Sequence, residues 1–472
     1  MRRDQWRDMK NTDKTFYRSV FALVIPMALQ NLIDVAVTAA DVLMLGNVSE
    51  AALSGASLGG QVWFVLSLVI FGTASGASIL TAQYWGKKDI VTIERVIGIA
   101  LRFTLVVSAA FTVVVSVFPE HMMRLFTSEP EVIAEGAKYL RIVVWTYIPL
   151  TFSLIYLNIM RSVEKVAIST VIHLLGLVVN VALNAILIFG LLGFEPMGIK
   201  GAAIATTIAR LMQVAIAIAY SLSKKTLLHI RIKYIFERSG VLMKDFLHYS
   251  LPVVFNELMW SLAVSMNTAV IGHLGKAAVS ANSVAQTARQ LAMVVGFGIS
   301  NATAILLGKT IGEGRLEDAE RYSRRFIALS LIFGTLGAAV VLCVIPIAPA
   351  FIDFSEEALG YLSTMLFIMS YFCIAQCLNT TMVVGIFRSG GDARFGVCVD
   401  VGVMWFITIP FAALAAFVFK WDVRVVYAIL MSDELIKIIP IALRYRSKKW
   451  LKNVTRDFAE LECEASAEQL ER

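Results

Sequence analysis

The sequence predicts an all-α integral membrane protein: twelve transmembrane helices in two six-helix, pseudo-symmetric bundles, with both termini cytoplasmic. Three observations predict it. The 472 residues are 58% hydrophobic and only 16% charged, with a mean hydropathy of +0.74, whereas a soluble domain carries about 25% charged residues. Apolar runs long enough to cross hydrocarbon, about 20 residues as a helix, recur along the whole chain. The chain also repeats itself. Pro26, Gly46, Ala51, Ala52, Ser54, Ser57, Phe71, Gly72, Ile79, Leu80 and Gly86 return 226 residues later as Pro252, Gly272, Ala277, Ala278, Ser280, Ser283, Phe297, Gly298, Ile305, Leu306 and Gly312. Arg161-Ser162 is echoed by Arg388-Ser389 at an offset one larger. Such recurrence inside apolar segments marks a duplicated half, a common way of building transporters.

The first half yields spans at 18–45, 57–83, 93–118, 137–160, 166–192 and 197–222. A polar, mixed-charge segment, 1–17, precedes the first of them with no cleavage-type region, so 18–45 reads as a true span. The one long polar internal stretch, 223–246, carries Lys224, Lys225, Arg231, Lys233, Arg238 and Lys244 and joins the copies. The second half repeats the series at 247–272, 283–308, 322–349, 358–387, 394–419 and 423–444. The domains are therefore an N-lobe (18–222), a basic cytoplasmic linker (223–246), a C-lobe (247–444) and a cytoplasmic tail (445–472), whose Glu-rich end from Phe458 to Arg472 reads as a short solvated helix.

Loop charge sets the orientation, because cytoplasmic loops are enriched in Lys and Arg. Arg2, Arg3, Arg7, Lys87, Lys88, Arg95, Arg161, Lys165, the linker, Lys309, Arg315, Arg321, Arg324, Arg325, Arg388 and Arg394 fall on one side. Opposing loops hold Lys200 and Lys276 and little else, and the 119–141 loop is mixed. Six spans per copy insert the halves the same way up, around an axis along the membrane normal with a cavity between them. The net charge of +7 does not indicate nucleic acid, since the basic residues lie in short inter-helix loops rather than on one face. Five scattered cysteines (Cys343, Cys373, Cys377, Cys398 and Cys463) have neither metal-site spacing nor the even count of a disulfide framework.

Ionisable residues within spans are costly in hydrocarbon and are the first functional candidates. Span 1 carries Asp34 and Asp41, seven residues apart and so on one helix face. Span 5 carries Asn180 and Asn184 on one stripe. Together these form a polar pocket in the first half, or else the asparagines bind helices together through interhelical hydrogen bonds. Span 7 carries Asn256-Glu257, which fall on Gln30 and Asn31 of the other copy; Asp41 falls on Asn267. Span 11 carries Asp400 opposite His173, and span 12 carries Asp433, Glu434 and Lys437, of which Glu434 and Lys437 read as a structural ion pair. Arg210 and Arg289 also lie within spans. Pro26 and Pro252 each remove a helix hydrogen bond at matching positions and can kink spans 1 and 7, either as gating kinks or as inherited packing. No nucleotide-binding loop, zinc-protease helix or nucleophile elbow is present, so neither enzymatic activity nor a cofactor is expected.

Two such halves, opened by IPMALQNLIDVAVTAADVLMLG and LPVVFNELMWSLAVSMNTAVIG, resemble the multidrug and toxic compound extrusion (MATE) family of the wider flippase superfamily. MGIKGAAIAT at 197–206 and FRSGGDARF at 387–395 strengthen the likeness, which runs from about residue 15 to 455; NELMWS and Asp433-Glu434…Lys437 are similar to its DinF-like and clostridial branch. The resemblance implies a V-shaped bundle in the cell membrane that exports small amphipathic, often cationic compounds in exchange for Na⁺ or H⁺. It matches the family's first-half acid to Asp41 with polar partners Asn180 and Asn184, and its second-half acid to Glu257, with Asp400 a candidate for the further acid. Asn184 stands where some members have an acid, which weakens a carboxylate-pair proton relay. No fixed metal is implied; a coupling Na⁺ would sit at Glu257 or Asp41. A monomer is expected. The alternative is a lipid-linked oligosaccharide or lipid flippase of the same superfamily. Such flippases usually carry extra C-terminal spans and a basic cavity, whereas this chain's intramembrane charges read as mostly acidic.

Overall fold

The computed structural model describes residues 2–224, 226–237, 240–351 and 355–457. Lys225 and Arg238 of the linker, and the predicted solvated helix at 458–472 with its Cys463, lie outside the described residues. The N-terminal half contains α1 (Arg2–Gly46), α2 (Glu50–Gly86), α3 (Ile90–Val117), α4 (Pro130–Ser162), α5 (Val166–Phe189) and α6 (Ile199–Leu222). The C-terminal half contains α7 (Gly240–Gly272), α8 (Lys276–Gly312), α9 (Leu316–Phe351), α10 (Glu356–Phe387) and α11 (Ala393–Val418), and its twelfth crossing is split into α12 (Val423–Leu430) and α13 (Asp433–Arg446). A lipid-embedded backbone must satisfy its own polar groups, which is why helix is the form these segments take. Ser49 and Asp89 cap α2 and α3, accepting from the backbone N–H groups of Ala52 and Thr92, each at 3.0 Å.

Ten of the helices are apolar and long enough to cross a membrane on composition alone. The other two crossings are α7, interrupted by Asn256-Glu257, and the α12–α13 pair, broken at Met431–Ser432 just before Asp433. Both depart from simple hydropathy because they carry the charges of the lobe interior.

α1 and α7 do not stay within their own halves. The first half of α1, with Phe16, Val20, Val24 and Met27, is buried among Ile299 and Leu307 of α8, Phe326 of α9 and Phe387 of α10. Its later turns lie against α5, where Gln30 donates to Thr170 at 2.7 Å. α7 behaves likewise: Leu242 and Phe246 belong to the N-lobe core, and Val270 and Ile271 to the C-lobe core. Pro26 and Pro252 lie close to these changeovers. The boundaries expected at 18–222 and 247–444 thus mark sequence copies rather than two separately packed cores.

The halves meet at one end of the bundle. A Cβ on Gly76 would come within 2.3 Å of Ser250 Cα, and one on Gly312 would meet the carbonyl of Gln83, so only glycine permits these helices to approach so closely. Lys309 bonds Glu164 across this junction at 2.7 Å. The segment 447–457, expected only as part of a cytoplasmic tail, straps across the same end. Trp450 is buried, Gln83 donates to the Ser389 and Lys452 carbonyls and accepts from the Val454 N–H, and Arg456 pairs with Asp245 at 2.6 Å. The basic linker docks on α3, with Arg231 2.8 Å from Glu94 and Arg95 3.3 Å from Glu237.

Candidate functional site

Polar side chains gather at three places. In the N-lobe, α1 brings Asp41 against α5, where Asn184 Nδ2 donates to Asp41 Oδ1 at 2.5 Å and to Asn180 Oδ1 at 3.2 Å. Asn180 in turn donates to Thr206 of α6 at 3.3 Å. The i,i+4 spacing of the asparagines puts both amides on one stripe, so the chain continues from helix to helix. Two polar atoms here are buried without partners: Asn184 Oδ1 and Arg210 Nη1. Arg210 stacks over Trp63 with its guanidinium carbon 5.1 Å from the ring centroid, and its charge reaches Asp41. The pocket expected from Asp41, Asn180 and Asn184 is assembled. Asp34 is not part of it: it is exposed, within electrostatic reach of His173 and Arg161.

In the C-lobe, Lys437 is the hub. Its Nζ lies 2.9 Å from Asp433, 3.2 Å from Glu434 and 3.4 Å from Asp400, and only 1% of the residue is exposed. The polar residues of α13 sit on its first turn and the next, so one face delivers three of the four charges. Asn379 donates to Glu434 at 2.8 Å and Asn256 to Asp400 at 3.3 Å, leaving the carbonyl oxygens of both amides buried and unpartnered. One cation among three carboxylates leaves an excess of negative charge, and the free amide oxygens beside them are further ligands of the type a hard cation takes. Arg289 is held off by Gln286 and Gln376 at 2.8 and 3.1 Å. The expected C-lobe grouping of Asn256, Glu257 and Asp400 is present in that all three line one pocket with Arg388, Glu434 and Lys437; within it Asn256 bonds Asp400 and Glu257 bonds Arg388. Glu434–Lys437, expected as a structural pair, is one arm of this larger cluster.

The third place is the floor of the cleft between the lobes. Arg388 Nη2 pairs with Glu257 at 3.0 Å and its Nη1 donates to Ser75 of α2 at 2.9 Å. Arg161 donates to Gln30 Oε1 at 3.3 Å and to Asn158 Oδ1, both neutral amide oxygens. Both arginines line one small cavity with Ser75, Ser78, Asn158 and Asn301. α10 reaches this wall through a π-helical stretch, Thr381–Phe387, immediately before Arg388, the kind of irregularity that often accompanies function. This corrects the loop count: Arg161 and Arg388 are not loop charges. Nor are the intramembrane charges mostly acidic, since Arg161, Arg210, Arg289, Arg388 and Lys437 counter the carboxylates.

Neither the arginine floor nor the role of Lys437 follows from the spans alone, although the repeat carried the signal. Arg210 and Lys437 are 227 residues apart, the offset of Arg161 and Arg388. Each lobe therefore carries a cation at the same place in its last crossing, half-buried as Arg210 and buried as Lys437.

Comparison with known proteins agrees with this architecture. The uncharacterized transporter YisQ of Bacillus subtilis (strain 168) is 23% identical over 453 residues, covering 94% of this chain and 96% of that protein. A probable multidrug resistance protein, NorM, of Rhizobium meliloti (strain 1021) is 24% identical over 331 residues, 70% and 71% of the two chains. Among solved structures, a MATE protein in its bent conformation superposes with a TM-score of 0.83 at 19% identity, covering 92% of this chain and 95% of that one. The MatE family profile matches residues 26–186 and 252–414, one match in each copy of the repeat. With the profile taking up most of both halves of a twelve-crossing bundle, the chain belongs to the MatE family of multi-pass membrane transporters.

Proposed function

We propose that the protein is a secondary active efflux transporter that exchanges Na⁺ or H⁺ for small amphipathic compounds, with the junction end and both termini cytoplasmic. The observation that carries this reading is the N-lobe chain Asp41–Asn184–Asn180, in which a carboxylate lies beside an amide oxygen that has no donor. A proton on Asp41, or a Na⁺ between the two oxygens, supplies the missing positive partner. The Lys437 cluster offers the C-lobe counterpart, with Asp400 and Asn256 as ligands, whereas Glu257 acts through Arg388. The probable multidrug role named for NorM of Rhizobium meliloti supports an exported substrate of that class.

Coupling needs the ion to bind one state of the cleft better than the other. A buried carboxylate meets that condition, since losing its water is costly unless a proton or cation accompanies it. One charge crossing 100 mV releases about 2.3 kcal/mol, enough for roughly a 50-fold gradient of neutral substrate. The changeovers near Pro26 and Pro252 provide the places at which one lobe could rock on the other. A lipid or lipid-linked flippase is the second reading, favoured by the arginines on the cleft floor.

Efflux of a fluorescent amphipathic dye from proteoliposomes, under separately imposed Na⁺ and H⁺ gradients, tests the first reading. One of the two gradients is expected to drive dye against its own concentration. Dye movement indifferent to both, with short-chain fluorescent lipid translocated instead, would establish the flippase reading.

A further inference from the structure

We infer that the floor of the cleft is an anion subsite, built by Arg161 and Arg388 from the two copies, which takes the carboxylate, sulfonate or phosphate of an amphipathic substrate. The inference rests on the efflux reading in that it names a substrate class for the same cleft. Three features carry it. The two arginines are repeat equivalents that face one cavity, so the subsite straddles the interface whose opening and closing transport requires. Their partners differ. Arg388 already holds a carboxylate, Glu257, whereas Arg161 is held by the neutral oxygens of Gln30 and Asn158. Half-buried Arg161 has Asp34 within electrostatic reach but no carboxylate in hydrogen-bond contact, and its planar fork matches a carboxylate or phosphate in two-point contact. The walls around the arginines are amphipathic: Met27 and Phe71 are apolar, and Ser78 and Asn158 form a polar edge.

An arriving anionic group would take over the Arg161 hydrogens now given to the two amides. Arg388, clamped between Glu257 and Ser75, would set the position of the cavity wall and add its field without leaving its own partner. A cationic molecule of the same shape meets the Arg161 guanidinium, whose hydrogen-bond partners are neutral, while the floor's Glu257 is already paired with Arg388.

The test is equilibrium binding to the purified full-length protein in detergent with no ion gradient, using 1-pyrenebutyrate, 1-pyrenebutylammonium and dihexanoylphosphatidylglycerol. Pyrenebutyrate is expected to bind more tightly than the matched cation. Arg161→Gln is expected to weaken it about tenfold or more, the effect of losing a charge-assisted contact, while Arg161→Lys recovers most of the affinity. Ser78→Asp, which keeps every arginine and sets a carboxylate on the cavity edge, is expected to weaken it similarly, so the conclusion does not depend on Arg161→Gln folding. Pyrenebutylammonium should be unchanged or tighter in both variants. Binding of the phosphatidylglycerol alone, with the same dependence on Arg161 and Ser78, supports the subsite and identifies a lipid headgroup as its source. Equal affinity of wild type and both variants for either anion overturns the proposal, as does a preference for the cation. Gradient-driven efflux that persists after such a result would leave the transport reading standing, and anion binding without coupled efflux would do the reverse.

Discussion

Replacing Lys437 by Met is expected to destabilise the protein by about 3–5 kcal/mol, the usual result of removing one partner from a buried charge cluster. Lys437 is almost fully buried, and its ammonium group lies within 3.4 Å of three carboxylates, Asp400, Asp433 and Glu434. Without it those carboxylates face one another, with Arg289 committed to Gln286 and Gln376. Total stabilities of about 5–15 kcal/mol leave little room for such a loss, so the folded fraction recovered in detergent should fall sharply. Thermal unfolding followed by gel filtration checks this. Adding Asp433→Asn and Glu434→Gln to the Met variant should restore much of the folding by removing the two most buried of the three uncompensated charges, and transport should stay absent if the cluster couples the ion. A Lys437→Met protein with the wild-type unfolding midpoint would show that the cluster is not held together by its cation.

Asp41→Asn is expected to abolish gradient-driven efflux while leaving the amount of protein in the membrane unchanged. The substitution is nearly isosteric. An amide at position 41 can still accept from Asn184 Nδ2, which now lies 2.5 Å from Asp41 Oδ1, and can itself donate to the unpartnered Asn184 oxygen. It therefore fills the orphan site permanently, as a bound ion would, and cannot release what it supplies. Initial efflux rates in vesicles, normalised to protein, should drop by at least about tenfold, equivalent to about 1.4 kcal/mol of lost coupling. Unchanged efflux with unchanged ion dependence would remove Asp41 from the mechanism.

Much of the architecture was legible in the sequence because it depends on apolar length and on the small residues of the repeat. Gly72, Gly76 and Gly86 meet Val254, Ser250 and Lys309 across the junction, and the first and last of these glycines had already stood out by recurring as Gly298 and Gly312. The N-lobe pocket was legible for a related reason. Asp41, Asn180 and Asn184 are polar residues within otherwise apolar helices, and helical periodicity places the two amides on one face.

What was not legible depends on where helix ends go in three dimensions. Arg161 and Arg388 follow apolar segments as loop cations do, and only the cleft shows that they turn inward. Glu257 and Asn256 are neighbours in sequence and line one pocket, yet take different partners in it: Glu257 pairs with Arg388, Asn256 with Asp400. The crossing of α1 and α7 between lobes has no sequence signal beyond the two prolines, because an apolar face serves equally well against either lobe. The segment around Trp450 reads as a polar tail since its burial rests on one tryptophan and on backbone hydrogen bonds to Gln83.

The account as a whole requires the lobes to separate at the end away from the glycine junction and to exchange that opening for one at the junction. Spin labels at Val48→Cys, in the loop after α1, and Lys276→Cys, at the start of α8, report that separation by electron–electron distance measurement in lipid nanodiscs. The distance distribution is expected to show two populations, with the shorter one growing when the coupling ion or substrate is changed. A single population, unmoved by ion, pH or substrate in protein that still transports, would contradict alternating access between the two lobes.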